Sequence, residues 1–492
     1  MAGLLRRDVL AGGATALAST SFRRAHAQTT QEANSTSGDK VGMPPVEFAD
    51  PDFVLNVEEK PLNIGGTSVN ALLSGGIFPG TAIRYAEGDT FKVLINNRMS
   101  EDTCLHWHGL ILPSLMDGVP GIAQLPILAG SSQYYEFPLV QTGSYYYHSH
   151  LSTQEQYGLL GPLIIEENNP PVAYDRDVVV MLNDIIAKDG DEVIKSLRSG
   201  KEREKPNEPY LPEGVRRFEV DVPYDKYTVN GKPPTDPWLL QVKVGEKLRL
   251  RIINASGSSF FRVTIDGLKM TVIESDGHKV KPIVADDVLI GTSERYDVIV
   301  EIPESGNYTL HAAAMGDSKQ ALGVLHTSDI VPQANDKPAV LSGKSVSFRN
   351  LESLEPSTLP SVEPRTLDVL LSGNMPKFEW MMNKNYWPEP YAGPNPEKTY
   401  LDVSEGEVIR LKMVNKSPMV HPMHLHGHTF RVLGLGGPSA FAPVKDSVWV
   451  APGTTLEIEF YTDNPGLWAY HCHNIWHLVV GMLQPVRYVP KA

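Results

Sequence analysis

Three stretches of the chain alternate apolar and polar residues with period two, and each opens on a glycine followed by an acid. Gly88-Asp89 precedes Phe91, Val93 and Ile95; Gly245-Glu246 precedes Leu248, Leu250 and Ile252; Gly406-Glu407 precedes Ile409, Leu411 and Met413. The apolar residues fall three, five and seven positions after the glycine, and Asn97, Asn254 and Asn415 fall nine after it. Such a period predicts a strand with one buried face. A second marker follows in each copy, because Gly143, Gly306 and Gly466 are each followed five residues later by a histidine: His148, His311 and His471. The opening glycines are 157 and 161 residues apart, about the size of a β-sandwich domain. This predicts three consecutive domains, at about 45–168, 172–332 and 364–492. A Pro/Ser-rich linker, 333–363, separates the last two, a charged insertion from Asp189 to Pro223 reads as a surface excursion, and 28–44 reads as disordered.

Composition agrees with that pattern. With 39 prolines, 41 glycines and 41% hydrophobic residues, the chain reads as globular and turn-rich, hence all-β. The first residues are of another kind. Arg6-Arg7, a short Ala/Gly/Leu stretch to Ala18 and the small residues Ala25 and Ala27 read as an export signal, 1–27. The paired arginines favour the twin-arginine route over an ordinary secretory signal, and either route predicts a periplasmic or secreted protein. Its removal takes away four arginines and one aspartate, so the formal charge moves from −14 to about −17. Nucleic acid is thereby excluded as a partner, and no later stretch is apolar and long enough for a membrane span. Only two cysteines exist, Cys104 and Cys472. If Cys472 is a metal ligand, no intramolecular disulfide forms and Cys104 is a small buried thiol.

The copies differ in their chemistry. Eighteen and twenty residues after the opening glycine stand His106 and His108 in the first copy and His424 and His426 in the third, but Val263 and Ile265 in the second. Five and seven after the closing glycine stand His148 and His150, then His471 and His473, whereas the middle copy has His311 followed by Ala313. Residues two apart on a strand face the same way, so each pair aims two imidazoles in one direction. Four such pairs suit copper, iron or zinc. Cys472 lies between His471 and His473 and faces the other side of that strand. With His421, His477 and Met482 it makes the two-imidazole, thiolate and thioether set of a blue-copper electron-transfer site. One-electron intake at Cys472, joined through its two flanking histidines to an eight-imidazole cluster, is what four-electron reduction of dioxygen to water requires.

The motifs His106-Trp-His-Gly109, His148-Ser-His150, His421-Pro-Met-His-Leu-His-Gly427 and His471-Cys-His-Asn-Ile-Trp-His477 with Met482 together resemble the signature of three-domain multicopper oxidases of the bacterial laccase-like and copper-resistance types. The resemblance implies three cupredoxin-like Greek-key β-sandwich domains and four copper ions. It implies a type 1 copper on His421, Cys472, His477 and Met482, a type 2 copper on His106 and His424, and a type 3 pair on His108, His148, His150, His426, His471 and His473. The cluster is then expected between the first and third domains, with the middle domain as a spacer. Asp117, in Met-Asp-Gly, matches a family carboxylate that delivers protons to bound oxygen; otherwise Asp117-Gly118 is a turn pair. Some bacterial members carry an acid directly after the last type 1 histidine, where this chain has Leu478.

Gly267 to Gly277 resembles the copper-resistance members, and Met375, Met381 and Met382 lie in a loop-like stretch, Asn374 to Trp387, that lines a metal or substrate entrance or simply packs. The expected activity is a laccase-like oxidase, with Cys472, His477 and Asp117 as its catalytic residues, that takes electrons from phenols or aromatic amines at the edge of His477 or His421. The alternative is a metallo-oxidase of Cu(I) or Fe(II). A copper store, a blue electron carrier and a two-domain copper nitrite reductase fit less well, since none explains eight further matched histidines. A monomer is expected.

Overall fold

The computed structural model describes residues 50–200, 220–330, 332, 334–385, 387, 400–436 and 439–491. The segments read as export signal (1–27) and disordered stretch (28–44) lie outside the described residues, as do 201–219 of the charged insertion and Tyr386 of the methionine-bearing stretch.

The protein is all-β, as the alternation predicts. In the first third of the chain two four-stranded sheets form, one ordered Thr67–Ser74, Phe53–Ile64, Thr90–Asn97, Ser132–Pro138, the other Ile83–Ala86, Leu160–Glu166, Gly143–His148, His106–His108. The middle third holds two six-stranded sheets, and the last third a six-stranded sheet and two three-stranded ones. Each period-two strand lies inside a sheet beside a parallel neighbour: Phe53–Ile64 for Thr90–Asn97, Arg176–Ile185 for Lys247–Asn254, and Arg365–Asn374 for Val408–Asn415. Their apolar residues are buried, which is the face that the alternation marks.

The glycine and asparagine of the motif have physical reasons. Gly88, Gly245 and Gly406 adopt φ of 86°, 80° and 84°, where a Cβ is strained. Each asparagine ties the loop that follows its strand. Its Nδ2 donates to two backbone carbonyls, one in that loop and one farther along the chain (Glu101 and Ile127, Ser259 and Ile290, Met419 and Val450), and its Oδ1 accepts from the backbone N–H two residues on. In the third copy this Asx turn also fixes Ser417, whose hydroxyl lies 2.7 Å from His421 Nε2.

Two connecting segments are more ordered than the sequence suggests. Within the charged insertion, Gly190–Ser199 is a helix capped by Asp189, and Val193 and Leu197 are buried. This described part of the insertion is therefore docked, and the helix packs against the turn Met375–Lys377. In the 333–363 segment, Ser345–Val346 pairs in parallel with Asp287–Ile290, and Phe348 packs edge-on against Trp449 at 5.0 Å. No described helix is long and apolar enough to cross a membrane.

Candidate metal centre

The strand His106–His108 pairs antiparallel with Gly143–His148, matching His106 with His148 and His108 with Tyr146. Between the two histidines, Trp107 points into the first domain's core, its ring 4.6 Å from Phe91 and 5.1 Å from Tyr135. The alternation thus turns both imidazoles outward. In the last third, His421–Leu425 pairs with Tyr470–Cys472, matching His424 with His471. The two sets meet face to face. The His106 and His426 rings stack at 3.9 Å, His108 and His424 at 3.8 Å, and the His148 and His473 centroids are 5.0 Å apart. His471 Nε2 lies 2.9 Å from His426 Nε2 and 3.1 Å from His150 Nε2. The structure therefore gathers all eight paired histidines in one buried cluster.

Six of the eight rings are aimed by the nitrogen they turn away from the cluster. Nδ1 of His106 reaches the Asp117 carbonyl at 2.8 Å, Nδ1 of His424 the Asp446 carbonyl at 2.8 Å, and Nδ1 of His471 the Cys472 carbonyl at 3.0 Å. His148 Nδ1 is 3.1 Å from a Glu155 carboxylate oxygen, and His426 Nδ1 is 2.9 Å from Asp117 Oδ2. His108 is reversed, with Nε2 at 3.2 Å from Ser447 Oγ and 3.3 Å from Asp446 Oδ1. The opposite atoms, His106 Nε2, His108 Nδ1, His148 Nε2 and His424 Nε2, are buried without a partner. Burial pushes His108, His150, His424, His426 and His473 well below the usual histidine range, and His471 down to about 3. His108 and His424 combine both features, a depressed pKa and an inward nitrogen without a partner, and a neutral imidazole with a free nitrogen is the form in which histidine binds a metal.

On the other face of the Cys472 strand, His421 Nδ1 and His477 Nδ1 each lie 3.6 Å from Cys472 Sγ and 3.1 Å from one another. Their outer nitrogens are engaged: His421 Nε2 by Ser417, and His477 Nε2 by Asp221, 3.2 Å away. Met482 is fully buried, and its loop closes on the site through Cys472 N–H to the Met482 carbonyl at 3.0 Å. Burial pushes the Cys472 thiol up, so a thiolate there calls for a bound cation.

Asp117 closes the 3₁₀ turn Ser114–Met116 and sits between the two strand pairs, fully buried. The turn reading and the cluster reading are both satisfied. Gly118 (φ 82°) leaves no room for a Cβ, which would stand 1.8 Å from the Leu105 carbonyl, and that tight bend aims the Asp117 carboxylate at His106 and His426.

Some expectations change. His421 and His477 are both fully buried, so no donor reaches an imidazole edge directly. Trp380 covers them, its ring 4.1 Å from His477 and 5.3 Å from His421. The methionine stretch is a hairpin as well as a loop: Glu379–Met382 pairs with Arg365–Asn374, Met382 is in the core, and Met375 packs against it. In the middle domain His311 bonds Gln320 and Asp266 and is a satisfied core histidine. Cys104 is buried and free, its sulfur accepting from His150 N–H at 3.1 Å, with burial raising its thiol to about 12. Sequence reasoning missed Glu155, Asp221, Asp446 and Ser447. Only Lys445-Asp446, two charges set against the apolar run Val448 to Val450, carried a readable signal.

Family models described as multicopper oxidase match residues 56–170, 176–331 and 360–492. The chain is 33% identical to the multicopper oxidase MmcO of Mycobacterium tuberculosis, over 87% of this chain and 85% of that protein. The chain belongs to the multicopper oxidase family. This multicopper oxidase is also 29% identical to copper resistance protein A of Escherichia coli, over 88% of this chain and 92% of that one. Among solved structures it resembles a laccase from Botrytis aclada, with a TM-score of 0.73, 27% identity and coverage of 88% and 87% of the two chains. Its domains are cupredoxin-like, and the family's copper suits what is present: groups of buried histidines whose ligand atoms lie within 4.8 Å of one another, and a Cys472 group with two imidazoles.

Proposed function

We propose that the protein is an exported multicopper oxidase that takes electrons singly from a donor and reduces dioxygen to water with four coppers. The observation that carries this reading is the position of Cys472, whose sulfur faces one three-ligand group while the flanking His471 and His473 belong to the eight-imidazole cluster behind it. In this reading His421, Cys472, His477 and Met482 hold the type 1 copper. His106 and His424 hold the type 2 copper, and His108, His148, His150, His426, His471 and His473 hold the type 3 pair. Copper, when bound, accepts electrons one at a time at the first site and delivers four to dioxygen at the cluster. The residues of the chain do the rest. Cys472 and its neighbours form a covalent path a few bonds long, reinforced by the His471 Nδ1 hydrogen bond to the Cys472 carbonyl. Asp117 orients His106 and His426 and is the proton donor beside the cluster. Asp221 and Ser417 set the ring orientations that leave both Nδ1 atoms toward Cys472.

The donor class is phenols or aromatic amines, with electrons entering across Trp380 and not at a bare histidine edge. A second reading, oxidation of Cu(I) or Fe(II), is favoured by the burial of His421 and His477 and by the Asp221 carboxylate on His477. Copper analysis with an absorption spectrum, followed by oxygen uptake with a phenol and with Cu(I), tests both. About four coppers per chain, a blue band and oxygen uptake are expected. Copper-loaded protein that consumes no oxygen with any donor sinks the oxidase reading in favour of a carrier or store. The domain limits 45–168, 172–332 and 364–492, the export signal and the monomeric state remain part of this proposal.

A further inference from the structure

The middle domain carries none of the paired histidines, and the sequence suggests a spacer. The structure gives it a contact with the cluster. Arg295, fully buried at the start of the strand Arg295–Glu301, touches all three domains. Its Nε donates to the Ser144 carbonyl of the first domain at 3.0 Å, and its Nη1 to the Ser293 carbonyl of its own domain at 3.0 Å. Its Nη1 and Nη2 form a fork on Asp446 of the third domain, at 2.7 and 2.5 Å.

What Asp446 and its neighbour touch gives this anchor a purpose. The Asp446 carbonyl accepts from His424 Nδ1, and Asp446 Oδ1 lies 3.3 Å from His108 Nε2. Ser447 Oγ lies 3.2 Å from both of those ring nitrogens, and 3.0 Å from Ser293 Oγ of the middle domain. Ser447 N–H donates to Asp276 of the middle domain at 3.2 Å. His108 is the ring among those with an unpartnered inward nitrogen that presents Nδ1, and these two residues hold it in that reversed orientation. Gly109, which follows His108 at φ 86°, leaves the space the fork needs: a Cβ there would stand 2.5 Å from Asp446 Oδ2 and 2.6 Å from Arg295 Nη2. The glycine of the first motif therefore answers to an arginine of the middle domain.

We propose that Arg295, with Ser293, is a positioning residue of the cluster, acting from the middle domain through Asp446 and Ser447 to fix His108 and His424. This rests on the reading of those two histidines as copper ligands. The fork is geometric as well as electrostatic, because a guanidinium locks both carboxylate oxygens whereas an ammonium is a point charge. Loss of an outer partner of a ligating histidine typically weakens metal binding about 10–100-fold.

The test uses full-length protein as wild type, Arg295→Lys and Ser293→Ala. Copper per chain is measured after dialysis against a graded chelator, together with the type 2 paramagnetic resonance signal and the blue absorption. Both variants are expected to keep the blue band, since its ligands lie on the other face of the Cys472 strand. Arg295→Lys is expected to release cluster copper at about 10–100-fold lower chelator concentration and to show an altered type 2 signal, with Ser293→Ala shifted in the same direction by less. If both retain cluster copper and the type 2 spectrum as wild type does, the positioning role is overturned. If Arg295→Lys fails to fold and shows no blue band, Ser293→Ala decides alone. Wild-type protein that binds copper only at the blue site would instead defeat the ligand assignment on which this inference stands.

Discussion

Replacing Asp117 by Asn separates the two roles proposed for its carboxylate, orienting His426 and donating a proton. The side chain is fully buried, with Oδ2 at 2.9 Å from His426 Nδ1 and Oδ1 at 3.2 Å from His106 Nδ1. His106 loses little, because its N–H already reaches the Asp117 backbone carbonyl at 2.8 Å. His426 exchanges a carboxylate acceptor for a neutral amide, a difference of about 1–1.5 kcal/mol if a charged hydrogen bond contributes about 1.5–3 and a neutral one about 0.5–1.5 kcal/mol. Positioning alone therefore predicts about a tenfold slowing, at 1.36 kcal/mol per decade. Loss of a proton donor predicts more, about 10²–10⁴-fold. The assay is reoxidation: protein reduced without oxygen is mixed with oxygenated buffer, and recovery of the blue absorption is followed in time. Intact blue absorption with reoxidation slowed by about 10²-fold or more supports the proton role. A slowing of about tenfold leaves only orientation. Reoxidation at the wild-type rate refutes both.

Three further outcomes follow from the same geometry. Cys472→Ser removes the thiol sulfur that lies 3.6 Å from both His421 and His477, so the blue band and donor-driven oxygen uptake should vanish while cluster copper, measured by metal analysis, remains. Trp380→Ala uncovers His477 at a cost of about 3–5 kcal/mol in stability; kcat/KM for a bulky phenol should rise relative to that for Cu(I), and an unchanged ratio would show that Trp380 does not gate the donor. Arg249→Met leaves Glu167, Glu274 and Asp297 without the guanidinium that lies 3.1, 2.8 and 2.7 Å from them. A loss of about 3–5 kcal/mol, or roughly 6–20 °C in thermal midpoint by calorimetry, is expected without change in copper content.

The strands were legible because one face of each is buried, so that the hydrophobic effect writes a period of two into the residues after Gly88, Gly245 and Gly406. The candidate ligands were legible for a related reason: His-x-His on a strand is one of few ways to aim two imidazoles together, and it leaves a spacing that composition alone rarely produces. The partners of those ligands leave no such trace. Glu155, Asp221 and Asp446 reach His148, His477 and His108 from separate segments of the fold, and apart from the apolar run that follows Lys445-Asp446 nothing around them in the sequence distinguishes a buried acid from an exposed one. The helix Gly190–Ser199 was hidden by its charge, since only Val193, Leu197 and a glycine turn inward.

This difference bears on how the cluster is built. A histidine pair fixes the direction of two side chains but not the rotation of either ring, and a metal needs the correct nitrogen of each. The rotation is set here by acceptors that arrive from elsewhere in the chain: the Asp117 turn for His106 and His426, Glu155 for His148, and Asp446 with Ser447 for His108 and His424. Asp446 in turn is locked by Arg295, and Arg295 by the Ser144 carbonyl four residues before His148. The path that begins at a middle-domain arginine thus returns to a ligand strand of the first domain. In the positioning role proposed for Arg295, docking of the three domains and orientation of the imidazoles are coupled, because Asp446, which faces His108, is held by a fork that comes from the second domain.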